Sequence, residues 1–441
     1  MSINRRQFIG TTAGASLACV ASGVFAESPT KKVRFAHIGT GGRGGHHINM
    51  WRNHDIVAVC DTNRKSVDKF NSSQFPKLGR YTNFLEMYEK EMDNIDAVIV
   101  ATPDHCHYPA AMLALMAGKA VYCEKPLAWS VTECLELSKM ARKMKVATQM
   151  GNQGNAGTGW RDVYSMVHQD IIGDVKEVHT WTNRPIWPQG KPRSTGEDPI
   201  PETLDWNAWI GPAPMRPYKG GRTYEPFVWR GYYDFGCGAL GDMACHTMNA
   251  MFQTMKPEYS CTVEPLKVVS PTDDQFPSQQ IIKWSFARKK KCPGFDAYWY
   301  DGGLKPEKPD ALGNNALPNT GVLFLGTKGA LISQGDYNNR NSVYIKGEKI
   351  EPKFERMVKP SDGGYHGEFV KAASGEKPWD SPMSNFMYAG KMTAIINMGT
   401  VAQRVGEKIK FSSWRKKFNN KEANALMARK PREGWEKAYD V

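Results

Sequence analysis

The sequence contains no apolar run that could cross a membrane, since no segment approaches the roughly 18 consecutive apolar residues that a spanning helix needs. It also has no repeat at a fixed period, no C-x-x-C pair and no histidine-rich ligand spacing. Its basic residues are dispersed, and no nucleic-acid-binding motif accompanies them. We therefore expect a globular protein with no mature transmembrane span, no bound metal and no nucleic-acid partner.

The chain's 441 residues exceed what one hydrophobic core usually supports, so two domains are the expectation. Lysine and arginine outnumber aspartate and glutamate by 58 to 45, which gives a net charge of +13 and is compatible with anionic glycans or an envelope surface as surroundings. Cys60 and Cys123 lie in apolar, strand-like runs, where a buried thiol is the simpler interpretation. The sequence does not fix any disulfide pair.

The first 26 residues have the order of features expected of a twin-arginine signal peptide. Arg5 and Arg6 precede a mildly apolar stretch, and Val24-Phe25-Ala26 provides a small-residue cleavage site. Two alternatives remain open, namely lipid attachment at Cys19 and a frayed cytosolic N-terminus. This signal resembles those of the twin-arginine pathway, which exports proteins that are already folded. We therefore expect a periplasmic or otherwise exported protein, which can carry a cytosolic cofactor with it.

A dinucleotide-binding turn follows the first apolar strand, Val33–Ile38. Gly39, Gly41 and Gly44 form the pattern G-x-G-x-x-G, and the residues after them can form a helix. The first glycine permits the tight turn, the second lets the backbone approach a pyrophosphate, and the third lets helix and strand pack closely. The helix N-terminus supplies amide donors for the anion, and Arg43 in the turn joins the predicted cofactor-binding residues.

A second apolar strand, Ile56–Cys60, ends at Asp61, 22 residues after Gly39. A carboxylate at this spacing accepts the hydrogen bonds of the adenosine ribose diol, and the two features together are far more specific than the glycines alone. Asp61 also repels a 2′-phosphate, which favours NAD over NADP. Arg64, shortly after it, keeps NADP open as the alternative.

Helix and strand candidates alternate as far as Met150, a pattern that predicts an α/β fold with a doubly wound parallel sheet of the Rossmann type. Beyond it, strand candidates with clean alternation predict an α+β domain with an open, largely antiparallel sheet. A helix predicted over 384–405 packs against that sheet. We divide the chain into a signal peptide (1–26), an NAD-binding domain (33–153), a substrate-binding and dimerisation domain (154–412) and a basic, solvated tail (413–441).

Two strand ends of the first domain carry polar motifs, and ligands collect beyond such ends in parallel sheets. The motifs are Thr102-Pro103-Asp104-His105-Cys106-His107 and Glu124-Lys125-Pro126. Lys125 is suited to hold a substrate hydroxyl and stabilise alkoxide character while a hydride leaves for C4 of a nicotinamide. The alternative is a surface lysine in a turn. His107 is predicted to line the cofactor pocket, although a structural histidine explains the residue type equally well.

The glycine turn, the T-P-x-x-x-H loop and the E-K-P tripeptide, in this order, resemble the Gfo/Idh/MocA oxidoreductases. The resemblance covers the whole first domain. It implies NAD-dependent redox chemistry at a carbinol carbon of a sugar-like molecule. It also implies that Thr102, Pro103, Glu124 and Lys125 contact the cofactor.

In the second half, the glycine-rich segment Gly236–His246 opens a helix that carries Asp242 and His246. Residues four apart share one helical face, so both side chains can point into one pocket. This spacing suits a histidine general base that a carboxylate orients and whose pKa is raised toward the working pH. A capping aspartate and a buried histidine are the alternative. The G-x-L-x-D-x-x-x-H element resembles the family's catalytic one and implies Lys125, Asp242 and His246 as the catalytic trio.

Candidate substrate-binding residues lie at the end of the predicted sixth strand and in the segments after it. Asn152 and Gln153 are suited to bind sugar hydroxyls, and Arg161 and Arg184 are weaker candidates. The segment Tyr298–Gly303 looks like a loop typical of exported, bacterial members of the family, and we assign no role to it.

The stretch 184–230 is rich in proline, glycine and tryptophan and is too long for an ordinary connector, so we predict a functional loop or lid. Trp187 and Trp229 within it are able to stack on sugar faces, and a place in the core explains them equally well.

An exported enzyme has little free reduced cofactor around it, so turnover requires a tightly held nicotinamide. One hypothesis is net redox, in which a second carbonyl substrate reoxidises the bound cofactor, as in relatives of glucose-fructose oxidoreductase. Another is a redox-neutral NAD-dependent glycosidase, in which oxidation at C3 acidifies the C2 proton, the aglycone departs, water adds and the hydride returns. A non-catalytic sugar-binding protein is the third. We expect a homo-oligomer, because the exposed face of an open sheet usually needs covering.

Overall fold

The structure is a computed structural model that describes residues 32–70, 75, 77–289 and 293–440. The predicted signal peptide and Cys19 lie outside the described residues. Among the helices that are described, none combines the length and the apolar character needed to traverse a bilayer. Seven described cysteines are unpaired and buried, which agrees with the interpretation of Cys60 and Cys123 as buried thiols.

A parallel sheet of six strands forms the first domain, in the order β3-β2-β1-β4-β5-β6. The strands are β1 (Arg34–Ile38), β2 (Asp55–Cys60), β3 (Gly79–Tyr81), β4 (Ala97–Val100), β5 (Ala120–Cys123) and β6 (Thr148–Met150). The helices that connect them are α1 (Gly42–Met50), α2 (Arg64–Asp68), α3 (Phe84–Glu91), α4 (His107–Met116) and α5 (Val131–Met144). The strand order reverses between β1 and β4, which opens a crevice at their carboxyl ends and confirms the predicted Rossmann fold.

Local sequence signals account for these elements. The strands β4 and β5 read Ala-Val-Ile-Val and Ala-Val-Tyr-Cys and are buried on both faces, as central parallel strands must be. The helix α5 begins at a reciprocal capping box of Ser130 and Glu133 and ends at Lys145 in the left-handed conformation. Both ends of this helix are therefore set by residues next to them in the chain.

The second domain contains a sheet of ten strands in the order β14-β13-β12-β11-β7-β10-β9-β8-β15-β16. Its strands are β7 (Val175–Trp181), β8 (Cys261–Val269), β9 (Gln279–Phe286), β10 (Phe295–Tyr300), β11 (Gly321–Gly326), β12 (Ala330–Gln334), β13 (Arg340–Ile345), β14 (Glu348–Ile350), β15 (Ile409–Ser412) and β16 (Lys417–Phe418). Its helices are α6 (Gly159–His168), α7 (Trp206–Ile210), α8 (Gly238–Thr247), α9 (Asn249–Met255), α10 (Gly364–Ala373), α11 (Phe386–Val405) and α12 (Lys421–Ala425). The described pairs are antiparallel except that β10 runs parallel to β7, so the prediction of a largely antiparallel sheet is confirmed.

The segment Tyr298–Gly303, which resembled a loop, instead completes the central strand β10 and the turn after it. Alternate residues of this strand are buried against one face of the sheet, and Asp301 is fully buried at its end. The indole N–H of Trp299 donates to the Asp301 carboxylate at 2.8 Å. The amide of Gly302 donates to the carbonyl of Arg184 at 2.6 Å. The segment therefore fixes the start of the long stretch 184–230.

The helix α11 joins the two domains. Asn385 caps its first turn, so the helix begins two residues after the predicted start at residue 384. A Cβ at Gly390 would lie 2.7 Å from the carbonyl oxygen of Cys134 on α5, which shows how closely the two helices approach. On the other side, the indole N–H of Trp284 on β9 donates to the carbonyl of Ile395 at 3.0 Å. The helix thus packs against the second sheet, as predicted, and against the first domain as well.

The tail predicted as solvated is partly buried, because apolar residues are interspersed among its lysines. Trp414 is 86% exposed, but Phe418, Met427 and Trp435 are buried. The ring of Trp435 packs edge-on against Phe84 of α3, with ring centroids 5.5 Å apart. The tail therefore returns to the first domain and packs on it.

Candidate functional site

A cleft of about 1050 Å³ lies where the two domains meet. Its floor consists of the glycine turn after β1 and the loops after β2, β4 and β5. Its walls consist of α8, the loop after β12 and parts of the stretch 184–230. The volume is at the upper end of the range of about 300–1,000 Å³ for ligand pockets, which leaves room for a dinucleotide and a substrate together.

The glycine turn is shaped for a pyrophosphate. Gly39 has φ +84°, and a Cβ there would lie 2.4 Å from the carbonyl oxygen of Ala101. A Cβ at Gly44 would lie 1.9 Å from the carbonyl oxygen of Gly39, so this glycine lets α1 pack on β1. A Cβ at Gly41 would meet no atom within 4 Å and would point into open space. The turn and the N-terminus of α1, which has no side-chain cap, therefore form a cradle that fits the pyrophosphate of NAD.

Asp61 lies at the end of β2 and lines the same cleft. Its Oδ2 accepts hydrogen bonds from the backbone N–H of Thr40 at 2.9 Å and from the Thr40 hydroxyl at 3.1 Å. Its Oδ1 accepts from the backbone N–H of Asn63 at 3.0 Å. These bonds fix the carboxylate beside the glycine turn, in the position where the adenosine ribose is bound in this fold.

The loop after β4 places Thr102 and Pro103 on the cleft wall. His107, in contrast, is fully buried and does not line the cleft. Its two ring nitrogens lie 2.7 Å from the carbonyl oxygen of Pro126 and 2.9 Å from that of Thr102. His107 therefore ties the two motif loops together, and its prediction as a pocket-lining residue is wrong. The Lys125–Pro126 bond is cis.

Glu124 lines the cleft and is held by side chains of α1. His47 Nε2 lies 2.7 Å from Glu124 Oε1, and the Arg43 guanidinium lies 3.3 Å from the same oxygen. Behind it, His47 Nδ1 lies 3.0 Å from His366 Nε2. Burial alone would raise the pKa of Glu124, but the hydrogen bond and charge of His47, together with Arg43, lower it to about 2. Glu124 is therefore ionised and acts as a hydrogen-bond acceptor on the cleft wall.

The two domains meet at an ion pair between Lys125 and Asp242. Lys125 Nζ donates to Asp242 Oδ1 at 2.6 Å and lies 3.2 Å from the carbonyl oxygen of the same residue. Arg230 Nε donates to the same Oδ1 at 3.0 Å. Burial opposes the charge on each group, but the two cations hold the pKa of Asp242 well below its usual range, and Asp242 raises the pKa of Lys125. Lys125 therefore remains a cation that can donate a hydrogen bond to a substrate oxygen.

His246 lies on the same face of α8 as Asp242, but no hydrogen bond joins the two side chains among the described residues. Its ring packs edge-on against Tyr337, with centroids 5.0 Å apart, and its Nδ1 is enclosed without a partner. Burial, followed by the charge of Lys125, lowers the pKa of His246 to about 3, so the prediction of a raised pKa is wrong. Asp242 directs its carboxylate to the two cations instead, so it gives His246 no hydrogen bond that would offset the effect of burial. Because Nδ1 is enclosed, Nε2 is the nitrogen available to a substrate hydroxyl.

Asp104 and Tyr337 are polar residues of the cleft that sequence reasoning missed. Asp104 is buried at the start of the loop after β4, and the backbone N–H of Cys237 donates to its Oδ2 at 3.0 Å. Burial raises the pKa of Asp104 to about 7. Tyr337, in the loop after β12, faces His246. Asp104 lies within the T-P-x-x-x-H loop and could have been found there, whereas the loop with Tyr337 carries no motif.

Of the four predicted substrate contacts, two line the cleft. Gln153 Nε2 donates to the hydroxyl of Tyr337 at 2.9 Å, and Arg184 pairs with Asp336 at 3.7 Å. Asn152 and Arg161 do not line the cleft, so their predicted role is wrong.

Asn152 and Arg161 are buried and satisfied inside the protein. Asn152 Nδ2 lies 3.3 Å from the carbonyl oxygen of Cys245 on α8. Arg161 Nε donates to the carbonyl of Lys359 at 2.8 Å, and its Nη1 donates to the carbonyl of Asn155 at 2.9 Å. Their polarity serves buried backbone groups, a use that a one-dimensional pattern does not reveal.

The aromatic residues of the stretch 184–230 surround Arg230. Trp187 and Trp229 are almost fully buried, yet both contribute to the cleft wall. The Arg230 guanidinium lies 4.2 Å from the ring centroid of Trp229 and 4.4 Å from that of Phe227. Sequence reasoning also missed Arg230 and Phe227, which belong to this wall.

Together these side chains can perform proton and hydride chemistry at one hydroxyl group. A protonated lysine and an uncharged histidine line one cleft, and both side chains are largely buried. Such a pair can polarise a hydroxyl oxygen and accept its proton. In this fold, NAD would be held by the glycine turn, Asp61 and Glu124, and when bound it supplies a hydride acceptor.

We expect Gly41→Ala and Gly44→Ala to separate cofactor binding from folding. The new methyl group at Gly41 would meet no protein atom, so the variant should unfold at nearly the wild-type temperature but lose most of the thermal stabilisation that added NAD gives. The methyl group at Gly44 would collide with the carbonyl of Gly39, so that variant should lose about 2 kcal/mol or more of stability without any ligand. Differential scanning calorimetry with and without NAD measures both effects. If added NAD stabilises the wild type and Gly41→Ala equally, the assignment of the glycine turn as the pyrophosphate-binding site is wrong.

We expect Glu124→Gln to flatten the acid limb of the stability curve. A glutamate in the unfolded chain has a pKa of about 4.3, whereas Glu124 in the folded protein has a pKa of about 2. A lowered carboxyl pKa contributes stability that is fully present above the unfolded value and is lost as the pH falls toward the folded value. Urea unfolding should therefore give a difference between wild type and variant that is constant above about pH 5 and shrinks between about pH 4 and pH 2. A difference that does not depend on pH would contradict this assignment.

Comparisons with known proteins agree with this geometry. The model of the Gfo/Idh/MocA oxidoreductase family, NAD-binding Rossmann fold, matches residues 33–152. The model of the same family's C-terminal alpha/beta domain matches residues 163–286. These ranges contain the glycine turn, Asp61, Lys125 and the helix with Asp242 and His246.

Two curated relatives carry the names of sugar-hydrolysing enzymes. A glycosyl hydrolase family 109 protein of Shewanella pealeana is 31% identical over 205 residues, which is 40% of this chain and 45% of that protein. An alpha-N-acetylgalactosaminidase of Shewanella oneidensis is 31% identical over 152 residues, which is 32% of this chain and 33% of that protein. The matched stretch thus spans less than half the length of either relative.

Solved structures share the fold over nearly the whole described chain. The WlbA dehydrogenase from Bordetella pertussis in complex with NADH and UDP-GlcNAcA has a TM-score of 0.61 at 17% identity, covering 87% of this chain and 99% of that one. The aldose-aldose oxidoreductase from Caulobacter crescentus complexed with glycerol has a TM-score of 0.58 at 16% identity, covering 86% of this chain and 100% of that one. Since the family models match more than half of the chain, and one of them spans the dinucleotide cradle, the protein belongs to the Gfo/Idh/MocA family of NAD-binding oxidoreductases.

Proposed function

We propose that the protein is an exported enzyme that transfers hydride between a carbinol carbon of a sugar and a retained NAD. The observation that carries this proposal is the contact of Lys125 Nζ with Asp242 Oδ1 at 2.6 Å, beside the uncharged His246 and within the cleft that contains the glycine cradle. A buried cation and an uncharged histidine that line one cleft are expected at a reacting site more than at a site that only binds a sugar.

Retention of NAD is supported by a clasp between the domains, formed by residues 203–205 and the loop 62–64 that follows Asp61. The backbone N–H of Arg64 donates to the carbonyl of Thr203 at 2.7 Å. The backbone N–H of Asp205 donates to the carbonyl of Thr62 at 2.8 Å. Trp209 and Glu225, from the same stretch, complete the wall of the cleft at this end. The ribose end of the cleft is thus covered by chain from the second domain, which supports slow release of a dinucleotide.

Each polar residue of the cleft has a role in the proposed reaction. Lys125 Nζ donates a hydrogen bond to the reacting hydroxyl oxygen and stabilises its negative charge while hydride departs from the carbon. His246 Nε2 takes the hydroxyl proton. Because burial lowers the pKa of the ring, it is uncharged but a weak base, so the transfer depends on Lys125 stabilising the alkoxide. Asp242 holds Lys125 in place and keeps it protonated. Arg184 and Gln153, with Tyr337, are placed to bind the remaining hydroxyls of the sugar.

A second candidate is a redox-neutral glycosidase, and the names of the curated relatives favour it. The same oxidation at a sugar carbon would acidify the proton on the neighbouring carbon. Loss of that proton expels the aglycone, water adds to the double bond, and the hydride returns to the carbon from which it came. Both candidates require the same lysine and histidine, so they differ only in the steps after the first hydride transfer.

We expect the purified protein to reduce its retained nicotinamide when an aldose is added, without any cofactor in the buffer. The measurement is the rise of the NADH absorbance band to no more than one equivalent per chain, followed by its fall when a second carbonyl sugar is added. Lys125→Met should slow this rise by about 10²–10³-fold, the usual effect of removing one donor that stabilises an oxyanion. If protein that contains nucleotide gives no NADH with any sugar, the proposed function is wrong.

The same protein separates the two candidates. Steady release of nitrophenol from 4-nitrophenyl glycosides, with no net NADH and with solvent deuterium appearing at C2, supports the glycosidase. Stoichiometric NADH that only a second carbonyl compound removes supports net redox.

We expect the clasp to control how long NAD stays bound. Arg64→Pro removes the N–H that donates to Thr203, and proline suits this position because Arg64 is the first residue of α2 and Asn63 before it has an extended conformation. Arg64→Ala is the matched control, since it also lacks the guanidinium but keeps the N–H. NADH should leave Arg64→Pro about fivefold faster than Arg64→Ala, because a hydrogen bond contributes about 1 kcal/mol. Stopped-flow fluorescence with excess NAD as the chase measures the rate of NADH release from both variants. Equal rates would show that the clasp does not control release.

A further inference from the structure

Two exposed apolar side chains stand at the rim of the cleft. Ile186 is 66% exposed and Phe227 is 38% exposed, and both line the cleft. Other large apolar residues that are exposed in the described part of the chain, such as Ile200, do not line it. Exposed apolar side chains that gather at a ligand cleft indicate a binding surface more than scattered ones do. With the nearly buried Trp187, we call these residues the aromatic lip.

The backbone at Phe227 is strained. Its φ is +80° with ψ −38°, and the N–H of Val228 donates to the carbonyl of Pro226 at 3.0 Å. This is a γ-turn with positive φ at its centre, a rare conformation that a bulky side chain adopts only at a cost. Burial does not explain the position, since the ring remains partly exposed. Strain of this kind is found mainly where a side chain must present itself to a ligand.

The lip is connected to the reacting groups. One contact of the Phe227 ring is the Arg230 guanidinium, 4.4 Å from the ring centroid, and another is the ring of Trp187, whose centroid is 5.7 Å away. Arg230 in turn donates to Asp242, which holds Lys125. Two side chains, Arg230 and Asp242, therefore link the lip to Lys125 within the same cleft.

The one polar side-chain atom of the lip, the indole nitrogen of Trp187, is already hydrogen-bonded. The indole N–H of Trp187 donates to Gln189 Oε1 at 2.9 Å. Next to the lip, Arg230 directs its Nε to Asp242 and its Nη1 to the carbonyl of Phe227, at 3.0 and 3.2 Å. A sugar hydroxyl placed against the side chains of Ile186 and Phe227 would lose its water without gaining a partner from them, which is unfavourable. The surface therefore suits an apolar group.

We propose that the aromatic lip is a subsite for an apolar aryl or alkyl group attached to the sugar, so that the substrate is a glycoside with an apolar aglycone. This inference rests on the proposed function, in which Lys125 holds a hydroxyl of the sugar. It adds that the sugar arrives with its apolar substituent directed toward Ile186 and Phe227.

The test compares 4-nitrophenyl and methyl glycosides of the same sugars, namely both anomers of glucose, galactose and N-acetylgalactosamine. Isothermal titration gives Kd without requiring turnover, and the NADH signal gives KM for those that react. In the wild type, the aryl glycoside should bind roughly tenfold to hundredfold more tightly than its methyl counterpart, as burial of a ring implies. Ile186→Ser and Phe227→Gly should each reduce this ratio severalfold. Phe227→Gly should not lower Tm, because glycine accepts the positive φ.

Ile200→Ser is the matched control, since Ile200 is another exposed isoleucine of the same stretch that does not line the cleft. It should keep the wild-type ratio. Equal affinity for aryl and methyl glycosides in the wild type, no binding of any aryl glycoside, or a ratio that survives both lip variants would each overturn the proposal. If no sugar reduces the bound nicotinamide but the lip-dependent ratio is found, the proposed function fails while the subsite stands.

Discussion

The contact between Lys125 and Asp242 is the interaction on which the rest of the site depends. One partner lies in the loop after β5 of the first domain and the other lies on a helix of the second, so the pair exists only when the two domains are correctly placed. A buried ion pair contributes little net stability, but a single partner left alone in the interior is strongly unfavourable. The arrangement that keeps the lysine charged is therefore the same one that closes the cleft around it. Arg230 makes the carboxylate a shared partner of two cations.

Around this pair, the side chains that shape the site mostly act through backbone groups. His107 joins the carbonyls of the two motif loops, and Asp104 accepts the N–H that precedes α8. Asn152 reaches a carbonyl of the same helix from the end of β6. These residues fix the positions of the loops relative to α8, so that the lysine and the histidine line the same cleft.

The sequence allowed the first domain to be predicted well, because its signals are local. Glycines at fixed offsets, a carboxylate at a strand end and fully apolar strands identify their positions without knowledge of distant contacts. The partner of Asp242 could not be found in this way. The i, i+4 spacing pointed to His246 as the partner of Asp242. The actual partners are Lys125, which is distant from Asp242 in the chain, and Arg230, which lies in an irregular stretch. Their positive charges attract the carboxylate of Asp242. For the same reason Arg161 and Asn152 appeared as binding residues, although buried carbonyls take up their donors.

The parallel pairing of β7 with β10, in a sheet that is otherwise antiparallel, has a consequence for the order of assembly. Glu177 pairs with Asp296, so the middle of the second sheet cannot close until the chain between them has been made and brought back. Pairing across so long a loop is slow, because its closure entropy must be overcome before the contact stabilises it. The first sheet needs only residues 34–150. During synthesis the nucleotide-binding half can thus form first and serve as the surface against which the later half folds.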